Sequence, residues 1–145
     1  MSKVNYVDPT RESFEAFNAL PRDTPINMLN LIKLRDLAAY PAGHENTKHN
    51  WSGARAYQEY GKTSGVVFKR VGGSIIWRGQ MEAMLIGPQD MEWDIAFIAR
   101  YPDSGAFMAM VTDPKYQLAV VNRQAAVLTS RLIRFGEVEA SNSFG

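Results

Sequence analysis

Four segments of this chain have a pattern of apolar and polar residues that is typical of β-strands. Residues 26–34 (INMLNLIKL) are leucine-rich and apolar at both odd and even positions, which predicts a strand in a sheet covered on both faces. Residues 74–86 and 91–101 alternate strictly around a Gly-Pro turn, which predicts a β-hairpin. A last short strand is predicted over residues 130–135.

Helical spacing of apolar residues occupies the segments before and between these strands. Thr10 is expected to cap a short helix that ends near Leu20, before two prolines. Ser52 precedes a second helical pattern that continues to Val71 and stops at a pair of glycines. The intervening residues 36–52 form a long polar connection, and loops of that length are often functional.

Two glycines, Gly61 and Gly65, lie inside the second helix. Each costs about 1 kcal/mol relative to alanine in a helix interior. We interpret them as points of close packing against the sheet, and the alternative is that the helix frays there.

Residues 101–117 (YPDSGAFMAMVTDPKYQ) are typical of two helices joined by a break. Asp103 is expected to cap the first helix, and Asp113 the second, because aspartate is favoured at the cap and proline at the first helical position. Pro114 therefore restarts the helix as much as it stops the preceding one. This interpretation gives the break a role in shape, with Tyr116 held in the first turn of the second helix.

After the N-terminal helix, the order strand, helix, strand, strand, helix, strand predicts a ferredoxin-like βαββαβ fold of the α+β class. It places helices on one face of a four-stranded antiparallel sheet. The other face also carries apolar residues, and a second copy in a C2 homodimer is the simplest cover. We expect a single domain with its core at 26–135 and flexible segments at 1–9 and 136–145.

Composition narrows the classes of function. The formal net charge of +1 lacks the basic face that nucleic-acid binding requires. The absence of cysteine excludes disulfides, thiol catalysis and thiolate metal sites. Without a segment of about 20 apolar residues or a signal core, we expect no membrane partner and a cytoplasmic protein.

No cofactor is expected from the motifs. Neither a G-x-G-x-x-G sequence nor a P-loop occurs, so no nucleotide site is indicated. His44 and His49 are five residues apart in the 36–52 loop, whereas a metal pair on a helix needs a spacing of three or four. We therefore expect no metal site, and keep His44 only as a secondary candidate for ligand contact.

The segment RYPDSGAFMAMVTDPKYQ resembles the signature of the DUF1330 family, with a strand that ends in an aromatic-proline pair and leads into a helix and a restart before tyrosine. IIWRGQ is similar to the family's second strand, and YQEYG to the turn in its first helix. The resemblance extends over about residues 26–135. It implies a dimeric α+β barrel, close in architecture to the cofactor-free antibiotic-biosynthesis monooxygenases, and it carries no established activity. The N-terminal helix and the 36–52 loop depart from it.

Aromatic side chains are the main candidates for a ligand site. Five of them are expected to face one another across the helix–sheet layer and to line a pocket for an apolar or aromatic molecule. They are Tyr57, Tyr60, Trp77, Trp93 and Tyr116. The alternative is that they form plain core, and either way we expect both tryptophans to be largely buried. Asn30, mid-strand among apolar neighbours, either anchors the ligand or bonds to nearby backbone.

The charges on the hairpin depend on its register. A three-residue turn would place Glu82 opposite Asp94, and a five-residue turn would place Arg78 opposite Arg100. Like charges facing each other destabilise a strand pair, so counter-charges are expected from elsewhere. Arg78, Asp94 and Arg100 are therefore secondary site candidates, with solvated surface as the alternative.

Two functions from different classes remain. The first is a homodimer that binds a small apolar or aromatic molecule and acts on it without a cofactor, as a monooxygenase or isomerase. The second is a non-catalytic dimeric module for binding or structure. An Asn30 amide and a tyrosine hydroxyl converging on a pocket would favour the first.

Overall fold

A computed structural model describes residues 4–145 and has the predicted order of elements. The N-terminal residues 1–3 of the segment expected to be flexible lie outside the described residues. The helices are α1 (Arg11–Asn18), α2 (Gly53–Arg70), α3 (Ser104–Val111) and α4 (Pro114–Ala126), with a short 3-10 helix at Glu45–His49. The strands are β1 (Ile26–Leu34), β2 (Ser74–Gly79), β3 (Ile95–Tyr101) and β4 (Val127–Gly136).

The four strands form one antiparallel sheet in the order β2-β3-β1-β4. This topology confirms the predicted ferredoxin-like fold. Alternate residues of β1, from Ile26 to Ile32, are buried beneath the helices. Their neighbours, such as Leu29, point to the opposite face, which no other part of residues 4–145 covers as a layer. The helices therefore lie on one side of the sheet, as predicted.

The helix break at residues 112–114 has the predicted geometry. The Asp103 carboxylate accepts a hydrogen bond from the Ala106 N–H at 2.8 Å and caps α3. The Asp113 carboxylate accepts from the N–H groups of Lys115, at 2.7 Å, and Tyr116, at 3.4 Å. The cap-and-restart interpretation is confirmed, and the second cap fixes the start of α4, from which Tyr116 projects.

Replacing Asp113 with alanine is expected to lower the melting temperature by a few degrees, because it removes both the α4 cap and an ion pair with Arg70. Asp113→Asn is the control, since it keeps a capping oxygen and loses the charge. Differential scanning calorimetry should rank wild type above Asn and Asn above Ala. Equal melting of wild type and Asp113→Ala would contradict the capping role.

The Asp113 carboxylate also makes the stability of the fold depend on pH, and the sign of this dependence follows from its pKa. The hydrogen bond from the Arg70 guanidinium, followed by the cap bonds, holds the pKa of Asp113 below its usual range. A carboxylate whose pKa is lower in the folded than in the unfolded protein stabilises the fold at pH values above its unfolded pKa. This contribution is lost as the pH falls through the folded-state pKa. The melting difference between wild type and Asp113→Asn should therefore persist at neutral pH and vanish in acid.

Glycines in α2 have two distinct environments. Gly53 is buried, its N–H donates to the Arg35 carbonyl at 3.1 Å, and an added Cβ would overlap that oxygen and lie 2.9 Å from the Ala126 carbonyl. By contrast, a Cβ added at Gly61 or Gly65 would meet no atom within 4 Å. The predicted close packing at Gly61 and Gly65 is therefore wrong in the single chain, and fraying is wrong as well, because α2 continues through both.

The hairpin is shorter than the alternation predicts. Residues 80–94 lie outside the sheet. At the end of this segment the Asp94 N–H donates to the Ile32 carbonyl and the Asp94 carboxylate accepts from the Leu34 N–H, each at 2.8 Å. Neither predicted register occurs. Arg78 lies opposite Phe97, and Arg100 opposite Ser74. A long loop over residues 80–94 therefore takes the place of the predicted tight Gly-Pro turn.

A bulge between Ile75 and Trp77 reverses the phase of β2. Ile75 and Arg78 therefore point to the helix side of the sheet, while Trp77 points to the opposite side with Gly79. The indole of Trp77 lies over Gly79, where an added Cβ would come within 2.5 Å of the ring. Trp77 is 51% exposed and Trp93 half-buried, so the predicted burial of both tryptophans is wrong within one chain.

β4 is longer than predicted and starts directly after α4, without a loop. Its outer edge is occupied by the N-terminal segment. The Ser130 N–H donates to the Tyr6 carbonyl at 2.7 Å, and the Tyr6 N–H donates to the Thr129 hydroxyl at 3.0 Å. This contact covers a sheet edge that would otherwise present unpaired backbone groups.

Candidate functional site

Three tyrosines from α2 and α4 meet in the helix–sheet layer, as predicted. The hydroxyls of Tyr60 and Tyr116 are hydrogen-bonded at 2.9 Å, and the rings of Tyr57 and Tyr60 are 5.4 Å apart. Tyr116 is buried, whereas Tyr57 and Tyr60 are half-buried. The Tyr57 hydroxyl has no hydrogen-bond partner within residues 4–145, so it is a donor that a ligand could use.

Burial sets the protonation state of these phenols. It raises the pKa of Tyr57, and the neighbouring Tyr60 adds to the effect. Burial likewise raises the pKa of Tyr116, reinforced by Tyr60. Both side chains are therefore neutral hydroxyls at physiological pH, suited to donate hydrogen bonds and not to act as bases.

Two arginines add positive charge to this layer. Arg123 is only 8% exposed, and its guanidinium donates to the Val7 carbonyl and, at 3.2 Å, to the Ser130 hydroxyl. Arg78 is exposed and points to the same side from β2. Both act to lower the pKa of Tyr57, against the larger effect of burial. In residues 4–145 neither arginine has a carboxylate within 4.0 Å.

Asn30 is buried in β1 on the helix side, and its amide N–H donates to the Met28 carbonyl at 3.0 Å. It forms no hydrogen bond with the tyrosines within the described chain. The backbone alternative for Asn30 is therefore the one found, and the convergence of its amide with a tyrosine hydroxyl, which would favour an enzyme over a binding module, does not occur.

The helix side of β2 is open to solvent. Ile75 is 44% exposed although it points to that side, and Arg78 beyond it is exposed as well. We call the resulting surface the β2 groove, a region between α2 and the edge strand. Its residues are Ile75, Arg78, Phe97, Tyr57 and Tyr60. Depressions of about 450 Å³ beside Lys33–Leu37 and about 420 Å³ at residues 80–94 lie elsewhere and do not include the tyrosines.

The opposite face of the sheet presents an apolar row across all four strands. In order along the row these residues are Trp77, Ile98, Leu29 and Ile133. Arg131 belongs to the same face, and its guanidinium lies 5.4 Å from the Trp93 ring. Trp77 and Trp93 therefore do not join the tyrosines, which corrects the predicted set: the bulge turns Trp77 away, and Trp93 precedes the strand.

The model of a domain of unknown function, DUF1330, matches residues 47–136, which is more than half of the chain. The chain belongs to the DUF1330 family. The matched segment contains α2, where Tyr57 and Tyr60 lie, and α4, where Tyr116 lies. The resemblance drawn from the sequence is confirmed.

Some solved structures resemble the DUF1330 chain in both sequence and fold, and others in fold alone. A protein of unknown function from Rhodopseudomonas palustris is 50% identical with a TM-score of 0.87, covering 94% of this chain and 100% of that one. SnoaB, a cofactor-independent oxygenase from Streptomyces nogalater, is 13% identical with a TM-score of 0.51, over 83% and 99%. A NIPSNAP-like domain protein from Burkholderia xenovorans is 17% identical with a TM-score of 0.51, over 83% and 91%. The last two share the fold alone, and no curated protein matches the chain.

In the 36–52 loop of the DUF1330 chain, both histidines stack on aromatic neighbours of the loop itself. His44 stacks on Tyr40 with ring centres 4.9 Å apart, and His49 stacks on Trp51 at 4.5 Å. The Tyr40 hydroxyl donates to the buried Asn122 side chain at 2.5 Å, which ties the loop to α4. The structure therefore gives His44 a place in loop packing and not in the β2 groove.

The other secondary candidates also lie outside the groove. Asp94 pairs with Lys33 at 3.7 Å, and Arg100 pairs with Glu137 at 2.5 Å. The counter-charges expected for the hairpin thus come from β1 and from the C-terminal segment. Across the described part of the DUF1330 chain, no helix is both long enough and apolar enough to span a bilayer.

Sequence reasoning gave Arg123 no role in the site, although its spacing contained the signal. Arg123 follows Tyr116 by seven residues, which places both side chains on one face of α4. Alternation without the bulge puts Arg78 on the side opposite Ile75, and so predicts it at the hairpin surface. The bulge itself has no signature in the residues around it.

Proposed function

We propose that this DUF1330 protein is a homodimer that binds a small apolar or aromatic molecule in the β2 groove and acts on it without a cofactor, by monooxygenase or isomerase chemistry. One observation carries the proposal. Tyr57 is half-buried, its hydroxyl has no partner in residues 4–145, and it packs in the same cluster as Phe97, which lies opposite the exposed Arg78 of β2 and on the same side of the sheet as the exposed Ile75. A neutral donor next to exposed apolar surface suits a small aromatic ligand.

The apolar row supports the homodimer. Trp77 and Ile133 at its two ends are 51% and 41% exposed, and they belong to one contiguous face. An apolar face of this kind is typical of a protein–protein interface. Two copies related by a twofold axis would place the two rows against each other, since the same surface serves both subunits. This arrangement is the dimeric α+β barrel implied by the family resemblance.

The chemistry of the groove favours stabilisation of negative charge. Neutral tyrosine hydroxyls and a guanidinium can donate to an oxygen on which charge develops, such as the oxygen of an enolate. The side chains named for this layer are three tyrosines and two arginines, and none of them has the carboxylate or imidazole that would serve as a base. The proton lost from an enolisable substrate would therefore pass to solvent, and the protein would stabilise the resulting anion.

A second candidate, a non-catalytic binding or structural dimer, is supported by a specific observation. The hydroxyls of Tyr60 and Tyr116 satisfy each other, and the amide of Asn30 is bonded to Met28. Polar groups that are already paired are less available to a substrate. In this case Tyr57 alone would orient a bound molecule, without chemistry.

Native mass spectrometry of the freshly isolated protein tests the proposal. We expect a dimer that carries a small organic molecule, and we expect Tyr57→Phe to lose most of that molecule while it keeps its melting temperature. Tyr6→Phe, outside the layer, is the control. A ligand-free wild type would overturn the proposed binding.

Oxygen consumption separates the two candidates. The released molecule is returned to ligand-free protein, and dissolved oxygen and the mass of the molecule are followed. Oxygen uptake or an isomeric product supports the enzyme, and an unchanged molecule supports the binding module.

A further inference from the structure

We infer that the ligand of the β2 groove is an anion: a small aromatic acid whose carboxylate faces Arg78 while its ring lies on Ile75 and Phe97. This inference rests on the proposed function, since it assigns the charge and chemical class of the molecule bound there.

Uncompensated positive charge is the first argument. Arg123 is buried with neutral partners, the Val7 carbonyl and the Ser130 hydroxyl. Arg78 lies on the same side of the sheet and has no ion-pair partner in the described chain. The Arg123 guanidinium is bonded at β4, on the opposite edge of the sheet from β2, so Arg78 is the charge that a ligand in the groove would meet directly and Arg123 adds only to the positive potential of the layer.

Nearby carboxylates are engaged elsewhere. Glu59, on the same helix as Tyr57, pairs with Arg55 at 3.1 Å. Asp94, directly before the first residue of β3, pairs with Lys33 at 3.7 Å and accepts from the Leu34 N–H. No carboxylate of residues 4–145 lies within 4.0 Å of the Arg78 guanidinium, which leaves its donors available to the carboxylate of a ligand.

The donor geometry of the groove suits a carboxylate. A guanidinium offers a planar pair of N–H donors that matches the two oxygens of a carboxylate. The Tyr57 hydroxyl, unpartnered within the described residues, adds a donor from the α2 side. The exposed Ile75 and the half-buried Phe97, on the same side of the sheet as Arg78, provide apolar surface for a flat hydrocarbon. The groove thus combines an anion site with an aromatic one.

Paired fluorescent probes test the charge of the ligand. We compare 2-naphthoate with its neutral isostere 2-naphthamide by fluorescence titration of the wild-type protein. We expect naphthoate to bind about 10-fold to 100-fold more tightly than naphthamide, the range of a charge-assisted hydrogen bond. Arg78→Gln should remove that preference and leave naphthamide binding unchanged. Arg22→Gln, an equal change of charge outside the groove, should keep the preference.

The outcomes separate the inference from the function on which it rests. Equal binding of the two probes to the wild-type protein would overturn the anionic ligand and leave the groove as a site for neutral molecules. A preference that survives Arg78→Gln would also overturn it, because the anion would then bind elsewhere. Failure of both probes to bind, for example because a second copy covers the groove, would overturn the proposed site itself.

Discussion

Replacing Gly53 with alanine is expected to destabilise the protein by about 3 kcal/mol, at the upper end of the range for overpacking a buried site. The new methyl group would overlap the Arg35 carbonyl and press on the Ala126 carbonyl, two backbone groups that hold the ends of β1 and α4. Neither can rotate away as a side chain would. Urea unfolding followed by circular dichroism measures the change in the free energy of unfolding.

Gly61→Ala is the matched control for Gly53. An added methyl at Gly61 meets open space, and alanine is the better helix former by about 0.5–1 kcal/mol. We therefore expect Gly61→Ala to stabilise the protein slightly. A loss of stability at Gly61, or none at Gly53, would show that the helix–sheet contacts are arranged differently.

Placing a charge in the apolar row is expected to dissociate the dimer. Ile133→Asp would put two carboxylates into a symmetric interface, and an unpaired buried charge costs several kcal/mol, so the dissociation constant should rise about 1,000-fold. Ile133 is 41% exposed in the single chain, so the monomer should stay folded. Light scattering coupled to gel filtration gives the mass, and circular dichroism checks the fold.

Leu118→Asp provides the control for this variant. Leu118 is 76% exposed on α4, on the helix side of the molecule, and it introduces the same charge. It should leave the dimer intact. Dissociation by Leu118→Asp with an intact Ile133→Asp dimer would move the interface to the helices.

The fold could be predicted from the sequence because its signals are local and repeated. A run of apolar residues marks β1, alternation marks β3, and an aspartate followed by a proline, as at Asp113 and Pro114, is typical of a helix cap. These features act through backbone geometry within a few residues, so the residues themselves contain the necessary information. By contrast, the counter-charges of Asp94 and Arg100 come from Lys33 and Glu137, which are distant in sequence, so local patterns do not predict them.

The candidate site could be predicted only in part. Tyr57, Tyr60 and Tyr116 come together because helical periodicity fixes the faces of α2 and α4. Trp77 was misplaced because one extra residue in β2 reverses every side chain beyond it. Bulges depend on how the two strands fit each other and not on the local pattern, so alternation alone assigns the wrong face.

Sedimentation velocity of the unmodified protein at micromolar concentration tests most directly whether a second copy covers the apolar row. We expect a single species with twice the chain mass of 16.3 kDa, which gives way to monomer only on strong dilution. A species of 16.3 kDa at every concentration would contradict the homodimer and leave the row on Trp77, Ile98, Leu29 and Ile133 to a different partner.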